Sequence, residues 1–324
     1  MLDHSGNSKV LDTEGLGYIP FGYYSDFLRY LRKNRRLIKV ITYDDLDWGD
    51  DYNYENSYAK EWAIWNRKLK EGELNPNKIY VLIQHDVDRV PDRTLAVLHE
   101  EERFSIPSNV LLFNRRIDRH HYQETGELLY TDYDIDFDEY KRLKKKRFVF
   151  GYHSNALDQA LFDVDQAQEI FTADVAALNE KLGGGVRFFS PHGGLRSPEG
   201  LTNNSLQMPH VLQNSVRWVA NKRTVRFNAS YSDGGINSLS RDPAKRDLRD
   251  FVSSWKPGNR YRVLTHPQYY TTPCGESPRL SGTEWYEGVL EAYRSGRGLS
   301  VWRKVEIERN RNNFLGFIQR RKKI

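Results

Sequence analysis

From about residue 78 to residue 270 the chain passes repeatedly from a short apolar run into a polar cluster, then returns through a stretch with helical spacing. Apolar runs stand at 80–83, 109–113, 147–150, 186–189 and 261–264, with shorter ones at 216–219 and 225–227. Between them, helices are expected over 91–103, 137–145 and 164–182. The last places Phe171, Val175, Leu178 and Leu182 on one face and closes at Gly183-Gly184-Gly185. Strands alternating with helices predict a parallel sheet, open or closed into a barrel. Such sheets collect their ligand sites at the carboxyl ends of the strands. The clusters at 85–88, 151–155, 190–194 and 265–267 each follow an apolar run, so all four are expected at one rim.

The first cluster is His85-Asp86-Val87-Asp88. Residues i and i+2 of an extended chain project to the same side, so Asp86 and Asp88 can converge on one proton or one metal ion. Helix capping from Asp88 near Pro91 would explain one carboxylate, but not two beside His85. His153 follows Gly151, which lets backbone approach closely, and neutral imidazole with carboxylate suits Zn²⁺ and related ions. His192 lies in a turn whose glycines, Gly193 and Gly194, permit close approach to a ligand; an ordinary exposed turn histidine is the alternative. His266 is held extended by Pro267 and is suited to donate a proton, or else it packs on Tyr269 or Tyr270.

With 38% hydrophobic residues, 15 Phe, 20 Tyr and 7 Trp in 324 residues, the chain can bury the core of one large α/β domain with extensions. A helical extension is expected over 1–75, with Tyr24, Phe27, Leu28 and Leu31 on one helix, a strand at 37–41, and Tyr58, Trp62 and Trp65 on a second helix over 54–70. The barrel or sheet domain is expected over 76–272, a loop over the site at 233–250, and a C-terminal helix with a basic tail over 273–324. The single cysteine, Cys274, excludes an intrachain disulfide framework and a cysteine-rich zinc site, so any metal must use His and carboxylates. Met1-Leu2-Asp3-His4-Ser5-Gly6-Asn7 lacks a basic start followed by an apolar core, and a cytoplasmic location is expected. The net charge is +5, yet residues 301–324 hold eight Lys/Arg against two Glu, leaving the remainder close to neutral. That distribution argues against a nucleic-acid enzyme. Trp302, Phe314, Phe317 and Ile318 interleave with the basic residues of the tail, which is expected either to be a solvated, partly helical terminus or to dock on the body or on anionic lipid.

The order of these motifs resembles the polysaccharide deacetylase family, metal-dependent hydrolases that remove N- or O-acetyl groups from sugars, over roughly residues 78 to 270. Gln84-His85-Asp86-Val87-Asp88 looks like a His-Asp-Val-Asp variant of the family's first motif. The resemblance implies Asp86 as general base and, because Val87 occupies the usual metal-binding position, Asp88 as metal ligand. His153-Ser154-Asn155-Ala156-Leu157 matches the first half of the His-Ser/Thr-x-x-His motif, making His153 a ligand while Leu157 stands where the second histidine is expected. His192 is then the candidate third ligand. Arg187 with Ser190-Pro191-His192-Gly193-Gly194 resembles the third motif and points to Arg187 and His192 as substrate contacts. Leu264-Thr265-His266 is similar to the closing Leu-x-His, with His266 as general acid. The implied fold is a distorted (β/α) barrel of fewer than eight strands. The implied function is a hydrolase using a divalent metal, Zn first, on an N-acetylated sugar or glycan precursor in surface-polysaccharide biosynthesis. Tyr231, Trp255, Tyr269 and Tyr270 are expected either to stack on sugar faces or to fill the core. Two other readings are a catalytically silent barrel that binds a glycan or partner enzyme, for which Leu157 speaks, and a metal-dependent phosphoesterase, against which the scarcity of Lys/Arg beside the motifs speaks.

Overall fold

The computed structural model describes residues 19–50, 57–89, 91–131, 133–206, 208–219, 225–233, 247–270, 291–293 and 295–307. Most of the expected loop over the site, Cys274, and the tail with Phe314, Phe317 and Ile318 lie outside the described residues. In chain order the elements are α1 (Phe21–Lys33), β1 (Ile38–Ile41), α2 (Ser57–Glu71), β2 (Ile79–Val87), α3 (Pro91–Phe104), β3 (Asn109–Leu112), β4 (Arg116–Ile117), α4 (Arg119–Thr125), β5 (Tyr130–Thr131) and α5 (Phe137–Lys144). They continue with β6 (Val149–Ser154), α6 (Ala156–Gln159), α7 (Val164–Leu182), β7 (Phe188–Pro191), β8 (Arg217–Trp218), β9 (Ala229–Ser232), α8 (Leu248–Ser253), β10 (Arg260–Thr265) and α9 (Gly298–Arg303).

β2 is the axis of the fold, because all of its residues are buried and its apolar run reads as a strand covered on both faces. One of its edges pairs with β10; the other is shared between β1 along Ile79 to Leu82 and β3 along Gln84 to Val87. The sheet order is β8-β7-β6-β3-β2-β10-β9, and every one of these pairings is parallel. Among the described residues β8 and β9 do not pair with each other, so the wall is a distorted (β/α) barrel that stays open. β4 and β5 form a separate antiparallel hairpin around α4.

The period-2 alternation of β2 separates two environments. Ile79, Val81 and Ile83 pack outward against α1, α8 and Trp255, while Tyr80 and Leu82 point inward with Leu111, Val149 and Phe188. The inward column is therefore apolar at its base and turns polar at Gln84 and Asp86, where the strand reaches the rim. Gly151 keeps the interior narrow: a Cβ there would lie 2.5 Å from Leu111 Cδ2 and 2.5 Å from the Phe188 carbonyl oxygen. On the far side Phe150, Tyr152, Phe171, Val175 and Leu178 bury the face of α7. That helix occupies the expected residues, capped by Asp163, whose side chain accepts from Gln166 N–H, and closed by Gly183 at φ 67°.

The N-terminal segment, expected as an extension packed on the barrel, gives its strand β1 to the sheet itself. Its second helix reaches the barrel through Glu61, which forms a buried ion pair with Arg260 at the start of β10. Trp302 of α9 is buried against Tyr23, Phe27 and Tyr30 of α1, so the described start of the tail docks on the body. Three strands lie further along the chain than their apolar runs suggest. β6 and β7 continue to Ser154 and Pro191 because the polar rim residues keep pairing in the ladder. Ala229–Ser232 pairs with β10 although the apolar run stands at 225–227. No helix among the described residues is long and apolar enough to cross a membrane.

Candidate metal and catalytic site

Because the strands run parallel, their carboxyl ends share one rim, and the inward column of β2 brings Asp86 and Asp88 to it. His153, two residues beyond Gly151 on the same side of β6, places Nε2 at 3.1 Å from Asp88 Oδ1 and 4.0 Å from Asp86 Oδ2. His192, one residue beyond β7, places Nε2 at 3.8 Å from the same Asp88 oxygen. His266, one residue beyond β10, places Nε2 at 3.9 Å from Asp88 Oδ2. Asp88 thus sits among three imidazoles from three strands. Phe113 walls the group, stacking on His153 with ring centroids 5.1 Å apart and meeting His192 edge-on at 5.0 Å.

Each side chain is held by a second contact. His153 Nδ1 faces the Ser190 carbonyl oxygen at 2.9 Å, which aims Nε2 at the carboxylates. Asp86 accepts from Gln84 Nε2 at 2.7 Å, and Gln84 in turn accepts from the Tyr43 hydroxyl. Asp233, at the end of β9, grips His266 twice: Oδ1 lies 2.6 Å from Nδ1, and Oδ2 accepts the backbone N–H at 2.7 Å. The residues on either side of Gly194 are fixed in the same way, since Asn203 Nδ2 donates to the His192 carbonyl at 3.2 Å and Asp158 Oδ1 accepts from Leu195 N–H at 3.1 Å.

These contacts set the charges. Burial disfavours a charge on Asp88, but His192, His153 and His266 outweigh it and hold the carboxyl well below the usual carboxylate range. Burial pushes His192 down to about 3, helped by the positive charges of His153, Arg119 and His266. It therefore stays neutral near pH 7, with a ring nitrogen lone pair free to bind a cation. Burial also works against charge on His266, yet Asp233 overrides it and raises the group to about 10. His266 accordingly carries a proton at neutral pH.

The residues fit a divalent cation. Asp88, His153 and His192 present ligand atoms that all lie within 4.8 Å of one another. Asp88 Oδ1 is buried and makes no hydrogen bond, a costly state for a carboxylate oxygen unless a cation completes it. One carboxylate with two imidazoles is a donor set used for Zn²⁺ and its neighbours.

Two residues expected at the site, Arg187 and Tyr231, lie elsewhere. Arg187 precedes β7, at the opposite end of the strand from the rim, and its guanidinium pairs with Asp44 at 2.7 Å; it is not at the site. Tyr231 is 1% exposed and packs on Phe251 in the core, so it offers no face to a sugar; Trp255 and Tyr270 are buried likewise. Tyr269 lies beside His266, with ring centroids 5.2 Å apart. His85 points away from Asp86, with Nδ1 on Thr265 Oγ1 and Nε2 on Glu101. Leu157 is fully buried among apolar neighbours, and His192 stands at Asp88 from the next strand instead. Asp233, Asp158, Asn203 and Gln84 were not singled out from sequence. Asp233 could have been found as the carboxylate closing the strand before the loop, whereas nothing local marks Asp158 or Asn203.

No protein-family model and no curated protein matches the chain. Solved structures similar to it include a family 4 carbohydrate esterase from Streptomyces lividans in complex with acetate, at 12% identity and a TM-score of 0.35, covering 58% of this chain and 79% of that one. A deacetylase of Streptococcus pyogenes in complex with acetate gives 12% identity and a TM-score of 0.39, covering 68% and 79%. A peptidoglycan deacetylase of Bacillus subtilis gives 15% identity and a TM-score of 0.37, covering 69% and 98%.

Proposed function

We propose that this protein is a metal-dependent hydrolase of the polysaccharide deacetylase type, removing an acetyl group from an N-acetylated sugar of a surface-polysaccharide precursor. The observation that carries the reading is the convergence of Asp88, His153 and His192, with Asp88 Oδ1 buried and without a hydrogen bond, between Asp86 on one side and the His266–Asp233 pair on the other. Asp88, His153 and His192 would hold the cation, with Zn²⁺ the first choice for this donor set. When bound, the ion supplies Lewis-acid polarisation of the acetyl carbonyl and of a water molecule.

The remaining steps belong to the chain. Asp86, positioned by Gln84, takes a proton from the attacking water. His266, kept protonated by Asp233, gives its Nε2 proton to the departing amine, and the Asp233 carboxylate fixes the ring so that Nε2 faces the rim. Phe113 packs on His153 and Tyr269 lies beside His266, so an aromatic ring stands against each of these two imidazoles. Leu157 favours a silent barrel only if residue 157 must supply a ligand, and His192 offers that ligand from the neighbouring strand.

Acetate release from N-acetylglucosamine, measured with metal analysis of the purified protein, tests the proposal. Wild type should contain a divalent ion and release acetate, with Asp86→Asn and His266→Ala reduced by about 10²-fold or more. Absence of metal, with wild type and both variants at background, would sink the enzyme reading.

A further inference from the structure

Beside the rim lies a cleft of about 580 Å³ that the chemistry above does not use. Arg119 and Tyr122 of α4 form one wall, the turn at Leu161 and Phe162 a second, and the segment after His192, with Arg196 and Glu199, a third. It adjoins the site directly. Gly194, two residues from His192, is part of its lining, and Arg119 Nη2 donates to the Gly194 carbonyl at 3.1 Å.

Two independent features distinguish this cleft from ordinary surface. The first is charge: its lining carries two guanidiniums against one carboxylate. Among the described residues, Arg119 binds only that carbonyl, and the exposed Arg196 has no hydrogen bond or ion pair. The second is strain. Leu161 at φ 49° and Phe162 at φ 74° are consecutive bulky residues in the left-handed region, and Leu161 is 45% exposed. Such a conformation is unfavourable for side chains of this size and collects at ligand sites. Leu161 gives the cleft an exposed apolar edge, and Phe162 beside it packs partly on the core.

We propose that this cleft is the subsite for an anionic group, phosphate or carboxylate, carried by the acetylated sugar or by the unit linked to it. The inference deepens the deacetylase reading and rests on it. A guanidinium fork matches the paired oxygens of either anion, and the Leu161 edge suits the apolar face of a sugar ring. A neutral glycan would leave Arg196 without an ion-pair partner among the described residues, whereas Arg119 has the Asp158 carboxylate to interact with.

The test compares acetate release from N-acetylglucosamine 1-phosphate, N-acetylmuramic acid and N-acetylglucosamine by wild type, Arg196→Ala and Arg196→Glu. Arg196 is exposed, so neither change should disturb folding. In wild type, kcat/KM should favour an anionic substrate over the neutral one. That preference should fall at least about fivefold in Arg196→Ala and further in Arg196→Glu, as loss of a charge-assisted contact requires. The anion with the larger loss identifies the group the cleft takes. An equal preference in all three proteins, or a wild-type preference for the neutral sugar, overturns the subsite while leaving the deacetylase reading intact. If no substrate releases acetate, the deacetylase reading fails, and calorimetric binding of N-acetylglucosamine 1-phosphate decides the subsite. Weaker binding by Arg196→Ala then supports it, and equal or absent binding by wild type overturns it.

Discussion

His192 Nδ1 lies 4.0 Å from Oδ2 of Asp158, a fully buried carboxylate oxygen with no hydrogen-bond partner. The other oxygen of Asp158 accepts from Leu195 N–H, so one side chain restrains the segment that carries His192 and also faces the ring. Outer carboxylates of this kind orient metal-binding imidazoles. Burial raises Asp158 to about 6, so it is largely ionised at pH 7 and above. Asp158→Asn is expected to weaken divalent-metal binding by about 10- to 100-fold, the usual cost of losing such a partner, as read by calorimetric titration. Unchanged affinity would show that Asp158 only braces the loop.

Gly194 is the close neighbour of that contact. A Cβ at this position would sit 1.8 Å from Asp158 Oδ2 and 2.7 Å from Asn203 Nδ2, so Gly194→Ala must displace the loop or the carboxylate. The expected result is a loss of about 1–3 kcal/mol in chemical denaturation, from overpacking, together with weaker metal binding. A variant as stable as wild type would show that the loop yields freely.

The His266–Asp233 pair makes stability depend on pH in a definite direction. His266 rises from 6.5 to about 10 on folding, so its contribution is fully present below pH 6.5 and is lost as pH climbs through about 10. Asp233→Asn removes the charge that raises it. The difference in Tm between metal-free wild type and Asp233→Asn should therefore be largest near pH 6 and shrink towards pH 10. A difference that grows with pH would contradict the assignment.

The ion pair of Glu61 with Arg260 is buried on both sides, and Arg260 stacks near Trp65, 4.6 Å from the ring centroid. Removing one partner leaves the other charged and unpaired. Glu61→Gln should cost about 3–5 kcal/mol in chemical denaturation. Because Arg260 opens β10, which ends beside His266, the loss should also lower acetate release. A change below about 1 kcal/mol would mean that water replaces the carboxylate.

What could be read from the chain follows from which signals are local. β2 and α7 were legible because a doubly buried strand is apolar throughout and an amphipathic helix repeats its apolar positions. Asp86 and Asp88 were legible for the same reason, since the period of a strand puts them on one side. β9 was not, because Ala229-Ser230-Tyr231-Ser232 carries little apolar character and is held by its neighbour β10. Arg187 stands as a substrate contact only on the motif resemblance, which does not depend on where the strand begins. The ladder begins at Phe188, which leaves Arg187 at the wrong end. Tyr231 was misread because residue type does not reveal which face of a strand it occupies. Asp233 and Asp158 act through partners 33 and 34 residues away in sequence, and only the tertiary fold brings them together.

The central claim is that His192, rather than a residue at position 157, completes a metal shell with Asp88 and His153. Calorimetric titration of chelator-treated protein with Zn²⁺ tests it most directly, comparing wild type with His192→Ala. The account predicts one ion bound per chain in wild type and affinity at least about tenfold weaker in the variant. Equal affinity in the two proteins, or no binding by wild type, would contradict it.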